Sequence, residues 1–389
     1  MTEPIVRSTR TMSGSDWLLL IVLSIVWGGS FFFAKIAVAE LPPLTIVLAR
    51  VVIAAAALHL LVIAFGQRMP GDLTLWRDFL LMGLLNNAIP FSLIFWGQKE
   101  IASGLASILN ATTPLFTVLV AQAFTQDEKA TPAKLIGVGL GLLGVALMIG
   151  LDLVSGFGFH LVSELAVLAA AFSYAFAGVF GRRFRGRPPL VVAAGQLTGS
   201  SILILPLALL IDRPWLGANP SLGVWAALIG LALLSTALAY VIFFRILARA
   251  GATNLLLVTF LIPVSALLLG VAFLAESVTA HQLLGMLLIG PGLAVIDGRW
   301  RRLIGYLRLP SGRRRFISLG PSSPLRPPAH ALQLRKLHLS LPADRSARHI
   351  CVGTAPSRLG DRLARSRLFR VLRGLGLALS AAAPGVDPR

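Results

Sequence analysis

The sequence predicts an all-α integral membrane protein of ten transmembrane helices arranged as two inverted five-helix repeats. Three observations predict it. The chain is 56% hydrophobic and only 13% charged, where a soluble domain averages about 45–50% and about 25%. Ten apolar runs come near the roughly 20 residues that a helix needs to cross a bilayer core. A set of Pro, Glu and Gly positions from the first half recurs in the second.

The runs fall at 17–38, 44–65, 75–96, 102–124, 133–150, 161–181, 190–211, 222–245, 252–274 and 280–297. Breakers and charges separate them: Pro42-Pro43, Arg68 to Gly71, Asp127 to Pro132, Asp152 to Gly158, Arg182 to Pro189, Asp212 to Pro220, and Glu276-Ser277. A helix on a soluble core shows a polar stripe; these runs are apolar on most faces. The first run resembles a secretory leader, because Ala37-Val38-Ala39 reads as a cleavage box. Its apolar stretch is too long for that, and Lys35 precedes the box, so it is read as the first spanning helix.

Basic residues in short loops set the orientation. With a cytoplasmic amino terminus, the inner segments hold Arg7 and Arg10, Arg68 and Arg77, Lys129 and Lys134, the cluster Arg182 to Arg187, and Arg245 and Arg249. The outer segments hold only Lys99 and Arg213. An even number of spans preserves this alternation and places both termini in the cytoplasm, the protein being a multi-pass one of the cell (inner) membrane.

The repeat explains the count. Pro114, Glu128 and Gly137 in the first half are answered by Pro263, Glu276 and Gly285 in the second, with the same Glu-to-Gly interval. Trp27 and Lys35 match Tyr174 and Arg182, and Arg50 aligns near Gln196. Five helices is an odd number, so the second unit enters the membrane inverted. Such inverted repeats are a transporter architecture with a site at the repeat interface.

Four stretches carry a resemblance to a known family. They are Val26-Trp27-Gly28-Gly29-Ser30-Phe31, Ala102 to Ser107 leading to Pro114-Leu115-Phe116, Leu234 to Tyr240, and Ala250-Gly251-Ala252-Thr253 leading to Pro263 and Glu276. In this order they resemble EamA-type permeases of the drug/metabolite transporter superfamily, over residues 17–298. One extra residue before Glu128 leaves open whether it or Asp127 is the matching acid. The resemblance implies transport of a small metabolite or drug-like solute, often outward, by alternating access. It does not choose among amino acids, sugars, nucleotides and drugs.

Polar groups at membrane depth are costly, about 2.5–3.5 kcal/mol for a charge on insertion scales, and each invites a reason. Arg50 reads either as a cavity cation for an anionic or zwitterionic solute or as an arginine snorkelling to the outer interface. Lys35 reads as snorkelling and Arg182 as topological. Trp27 and Ser30, with the Gly28-Gly29 pair between them, and their repeat partner Tyr174 are read as cavity lining, against plain helix packing. Asn86-Asn87 is the strongest polar pair of the body; Ser235-Thr236 is its counterpart, followed by Tyr240 as Asn86 is by Pro90. These serve either a solute path or interhelical bonding.

Gln98, Asn110, Thr112 and Thr113 gather near Pro114, where Thr hydroxyls are placed to satisfy the carbonyl that the proline frees. Pro114 and Pro263 are hinge candidates, or simple kinks. Glu128 and Glu276 are read as caps of the helix that follows each, rather than as proton-coupling acids. His59 is read as structural. Gly137, Gly141 and Gly144 form a small-residue face for packing within the repeat or against a partner protomer, so a homodimer stays open.

No metal-ligand set, phosphate loop or nucleophile–base pair stands out, so no cofactor, no metal and no catalytic residue are expected. The rival classes are a membrane enzyme acting on lipid-linked substrates and a non-transporting scaffold. The expected partners are a small-molecule solute and membrane lipid, without nucleic acid. The high pI of 11.6 does not argue otherwise, because residues 299–389 carry +16 of the net +19. The expected division is therefore a cytoplasmic segment 1–16, repeats 17–150 and 161–298, and a basic tail 299–389. That tail, which holds the single Cys351, reads as disordered, as a frame artefact, or as carrying a basic surface helix over 359–379.

Overall fold

The computed structural model describes residues 12–125, 130–154 and 159–297. The acid pair Asp127-Glu128 and the tail, with its 359–379 stretch, lie outside the described residues.

All regular structure among the described residues is helical. In chain order the helices are α1 (Gly14–Ala37), α2 (Pro43–Ala64), α3 (Leu73–Gly97), α4 (Ser103–Phe124) and α5 (Pro132–Val154). The second unit repeats the set as α6 (Phe159–Phe184), α7 (Pro189–Asp212), α8 (Leu222–Ala250), α9 (Val258–Leu274) and α10 (Ala280–Asp297). Eight are long and apolar enough to cross a membrane, and α9 and α10 are shorter apolar helices. The ten predicted runs match them closely.

Local chemistry explains where they start. Ser13 and Asp16 close a capping box at α1. Proline opens α2, α5 and α7, where a missing N–H costs nothing. The Ser221 hydroxyl accepts from the Val224 N–H at the head of α8. Large apolar side chains such as Leu60, Ile63 and Leu284 point outward and stay exposed, as lipid-facing positions of a bundle do.

Five helices depart from regular α geometry: α6 ends in a 3-10 turn at Gly181–Phe184, α7 ends in a π turn at Ala208–Asp212, and three others change within the bundle. α3 widens into a π turn at Leu84–Ala88. Pro90 supplies the reason: it lacks an N–H and its ring crowds the carbonyl one turn back, and the wider turn relieves both. α8 is π-helical over Gly230–Leu238, with the Thr236 hydroxyl donating to the Leu231 carbonyl at 2.8 Å. α4 is broken between Ser103–Asn110 and Thr113–Phe124, so Pro114 lies in the first turn of a fresh segment. There the Thr113 hydroxyl donates to the Asn110 carbonyl at 2.7 Å, the satisfaction expected at this proline. Pro263 lies inside continuous α9.

The helices pack in pairs that respect an inverted two-fold relation. α2 lies on α7, and α5 on α10. The contact of α1 with α9 is answered by α6 with α4, and that of α1 with α8 by α6 with α3. The α5–α10 seam shows the inversion directly. A Cβ on Gly137 would lie 2.6 Å from the Gly292 carbonyl, and one on Gly144 would lie 2.8 Å from the Gly285 carbonyl. Positions rise along one helix as they fall along the other, so the two run antiparallel. Gly137 and Gly144 therefore pack across the repeats, onto α10, while a Cβ on Gly141 would meet Leu115 of α4 within its own repeat.

Candidate functional site

A cavity of about 1140 Å³ lies between the repeats. Its walls come from both units. Trp27 and Ser30 of α1, Arg50 of α2, Asn86 of α3, Asn110 and Pro114 of α4, Tyr174 of α6, and Ser235, Thr236 and Tyr240 of α8 all line it. Two of the sequence candidates do not. Asn87 turns away from the cavity, fully buried, and its amide donates to Ser200 Oγ at 3.0 Å. Pro263 is buried within α9 without reaching the cavity.

Arg50 is the charged centre of this wall. It is 5% exposed, so it does not snorkel to an interface. Its Nε donates to Thr236 Oγ1 at 2.9 Å, and that hydroxyl in turn donates a hydrogen bond to the Leu231 carbonyl. The guanidinium lies 3.7 Å from the centroid of the Phe91 ring and 5.8 Å from that of Phe95, a cation–π arrangement. No carboxylate lines the cavity among the described residues. Its other basic lining residues, Lys134, Arg182, Arg185 and Arg187, stand at the mouth, on the face that carries the α4–α5 and α6–α7 links.

Opposite Arg50 in the repeat relation stands Gln196, which the alignment of halves had placed there. Its Nε2 donates to the Tyr240 hydroxyl at 2.8 Å, and Asn86 Nδ2 donates to both Gln196 Oε1 and Tyr240. The floor is formed by Gln98, fully buried at the end of α3, and by Asn110 at the break in α4. Gln98 Nε2 donates to the Phe31 carbonyl at 2.9 Å. Gln98 Oε1 and Asn110 Oδ1 are buried without a hydrogen-bond partner.

The face opposite the mouth is drawn together by polar contacts. Glu276, ahead of α10, accepts from the Ser103 N–H at 2.7 Å, the Ser103 hydroxyl at 2.8 Å and the Gly104 N–H at 3.2 Å. It thus caps α4 of the other repeat, not the helix that follows it. Lys35 Nζ donates to the carbonyls of Gln98 and Ile101 at 2.7 and 3.0 Å, anchoring it on the α3–α4 turn. Asp212 accepts from the N–H and hydroxyl of Thr45. Glu40 accepts from the hydroxyl and N–H of Ser221, and these bonds hold its carboxyl below the usual range.

The glycines of the α1 motif divide their work. A Cβ on Gly28 would meet Ser265 and Ala266 of α9 within 3.0 Å, so Gly28 serves close packing while its neighbour Trp27 faces the cavity. His59 shares a hydrogen bond with Thr198, in keeping with a structural role.

Two buried acids escaped the sequence reading. Asp16 pairs with Arg249 at 3.2 Å between the ends of α1 and α8. Glu164 is 1% exposed near the start of α6. Each opens the first helix of its repeat; that shared position was the available signal.

The profile of the EamA-like transporter family matches residues 15–150 and again 161–296. The chain is 26% identical over 275 residues to "Uncharacterized transporter YoaV" of Bacillus subtilis, covering 70% of this chain and 94% of that protein. It is 28% identical over 320 residues to a "Probable amino-acid metabolite efflux pump" of Escherichia coli, covering 75% and 99%. One solved crystal structure superposes with a TM-score of 0.55 at 23% identity over 75% of this chain and 99% of its own, a likeness of fold alone.

Proposed function

The chain belongs to the EamA-like transporter family, and from that premise we propose that it exports a small organic anion or zwitterion by alternating access, with Arg50 holding the anionic group. That it is a multi-pass membrane transporter follows from the family and from ten apolar helices.

One observation carries the choice of solute. Arg50 is buried among aromatic rings on the wall of the cavity, with a threonine but no carboxylate beside it. A buried cation without an ionic partner is expensive. A passing anion supplies that partner, and only when cargo is present. The basic mouth supports the same reading, since like charges lining a cleft raise the local concentration of the opposite ion. The name of the Escherichia coli relative favours an outward-moved, amino-acid-related cargo.

Direction rests on the basic loops. The mouth shares its face with the Arg182 to Arg187 cluster, and such clusters favour the cytoplasm. The cavity then collects cargo from inside, with both termini cytoplasmic. Residues 17–150 and 161–298 act as the two rocking units, and the contacts of Glu276, Asp212 and Glu40 release as the outer face opens. Pro114, at the break in α4, serves as one hinge; Pro263 serves as the other through its neighbours in α9.

The test is solute flux with the full chain in proteoliposomes. Uptake of anionic and zwitterionic metabolites is measured by counterflow, in wild type and in Arg50→Ala. Saturable flux that collapses in the variant is the expected result. Equal flux in both, or flux restricted to cations, overturns the reading.

A further inference from the structure

The basic residues at the mouth of the cavity are gathered from both repeats. Lys134 stands in the first turn of α5, Arg185 and Arg187 stand on the link between α6 and α7, and all three line one opening. Other bases of this face have acids beside them. Asp78 lies 3.4 Å from Arg183 and 4.0 Å from Arg77, and Asp16 lies 3.2 Å from Arg249. Lys134, Arg185 and Arg187 have no acidic partner among the described residues. Orientation in a membrane requires bases on one side of it. It does not require them drawn around one gap and left unpaired. The link is also shaped. The Arg187 N–H donates to the Phe184 carbonyl at 3.0 Å, and Gly186, at φ 80°, permits the turn. The two arginines flank that tight turn, so little ordering is left to be done when an anion binds.

We propose that this cluster is a binding site for an anionic phospholipid, with Lys134, Arg185 and Arg187 around its phosphate and its acyl chains on the adjoining lipid-facing side of α4, α5 and α6. The inference is independent of which solute the cavity carries.

Basic pockets between transmembrane helices hold acidic head groups, and arginine suits a phosphate because its planar fork can bond two oxygens at once. A lipid also needs an apolar track beside the charges, and one is present. Leu135 and Ile136 follow Lys134 and are exposed. Phe124, at the end of α4, is 68% exposed, and its ring lies 5.4 Å from that of Phe176 on α6. Phe176 lies in turn 5.0 Å from the exposed ring of Phe172. Six residues separate Phe176 from Arg182, about 9 Å of helix, so the track begins just below the cluster. A free phosphate or a soluble organic anion would use the charges and leave this track empty. The pairing of unmet bases with exposed rings therefore singles out a lipid.

The experiment uses the full chain purified in detergent, with phosphatidylglycerol, phosphatidylcholine and inorganic phosphate as probes. Native mass spectrometry reports retained lipid, and thermal unfolding reports stabilisation by each probe. Phosphatidylglycerol is expected to bind at least tenfold tighter than phosphatidylcholine, since each base near a lipid anion contributes roughly fivefold. The triple variant Lys134→Gln, Arg185→Gln, Arg187→Gln is expected to bring the two lipids within about twofold. Each single Gln variant is expected to lower the preference roughly fivefold or less, which keeps the test open should the triple variant fail to fold. Arg68→Gln with Arg77→Gln removes charge from the same face away from the opening and is expected to keep the preference.

Equal retention of the two lipids by the wild type overturns the proposal. So does a preference that persists in the folded Gln variants, which places the lipid elsewhere. A loss in the Arg68, Arg77 variant as large as that in the triple variant reduces the effect to general surface charge and overturns it as well. Stabilisation by inorganic phosphate equal to that by phosphatidylglycerol makes the cluster a site for free anions and removes the lipid as its occupant.

Discussion

Arg50 on α2 and Gln196 on α7 hold matching stations in the two repeats, and each meets the π-distorted helix of the opposite repeat. Arg50 donates to Thr236 on α8, and Gln196 accepts from Asn86 on α3. The frame is pseudo-symmetric, but its charge is not. One repeat contributes a cation and the other a neutral amide. A solute bound between them meets different chemistry on its two sides.

Arg50→Lys is expected to behave nearly as badly as Arg50→Ala. The lysine keeps the charge but loses the planar contact with Phe91 and the Nε bond to Thr236. Charge-assisted bonds contribute about 1.5–3 kcal/mol, so transport efficiency should fall roughly tenfold or more. Initial counterflow rates over a range of solute concentrations check this.

Asn86 and Asn87 are neighbours with separate work. Asn87→Ala should lower thermal stability by roughly 1 kcal/mol, the usual net value of one hydrogen bond, while leaving the apparent affinity for solute unchanged. Asn86→Ala removes the donor that Gln196 and Tyr240 share at the cavity wall, leaving only their bond to each other, and should change affinity. Melting in detergent and transport kinetics, run side by side, distinguish them.

The latch opposite the mouth is tested by tying it. Glu40 and Ser221 are hydrogen-bonded across the repeats. A chain carrying Glu40→Cys and Ser221→Cys, with Cys351→Ser to remove the native thiol, should stop transporting when the pair is cross-linked. Activity should return when the link is cleaved. Undiminished transport in the cross-linked protein would sink the alternating-access reading.

Glycine substitutions on α5 should divide sharply. Gly144→Ala places a methyl 2.8 Å from the Gly285 carbonyl, and overpacking of this kind costs about 1–3 kcal/mol. Gly139 faces open space, so Gly139→Ala should be neutral or slightly stabilising. Thermal unfolding of the two variants gives the comparison.

Much of the fold was legible because hydropathy and breakers act locally. Pro42-Pro43, Pro132 and Pro189 mark helix starts in the sequence as they do in space. The distribution of polar side chains between cavity and packing was harder to read. Asn86 and Asn87 differ by one position, and a π turn decides which faces inward. Glu276 reads as a cap for the next helix, yet it caps α4, 173 residues earlier. Such partners are fixed by the docking of the two repeats, which no local pattern encodes. In sequence Gln98 is only a polar residue on the approach to Pro114; its bond to the Phe31 carbonyl and its complete burial arise only when α1 packs on the end of α3.

The α5–α10 seam also bears on how the chain is made. The glycine face of α5 is complete once residue 154 has emerged, but its partner is the last helix of the bundle. Four intervening helices must be inserted before Gly285 and Gly292 arrive. Until then lipid occupies a groove shaped for backbone. Closure of the bundle is therefore a late event of synthesis, and a truncation between Leu274 and Ala280 leaves every earlier helix present but the two halves unfastened along this line.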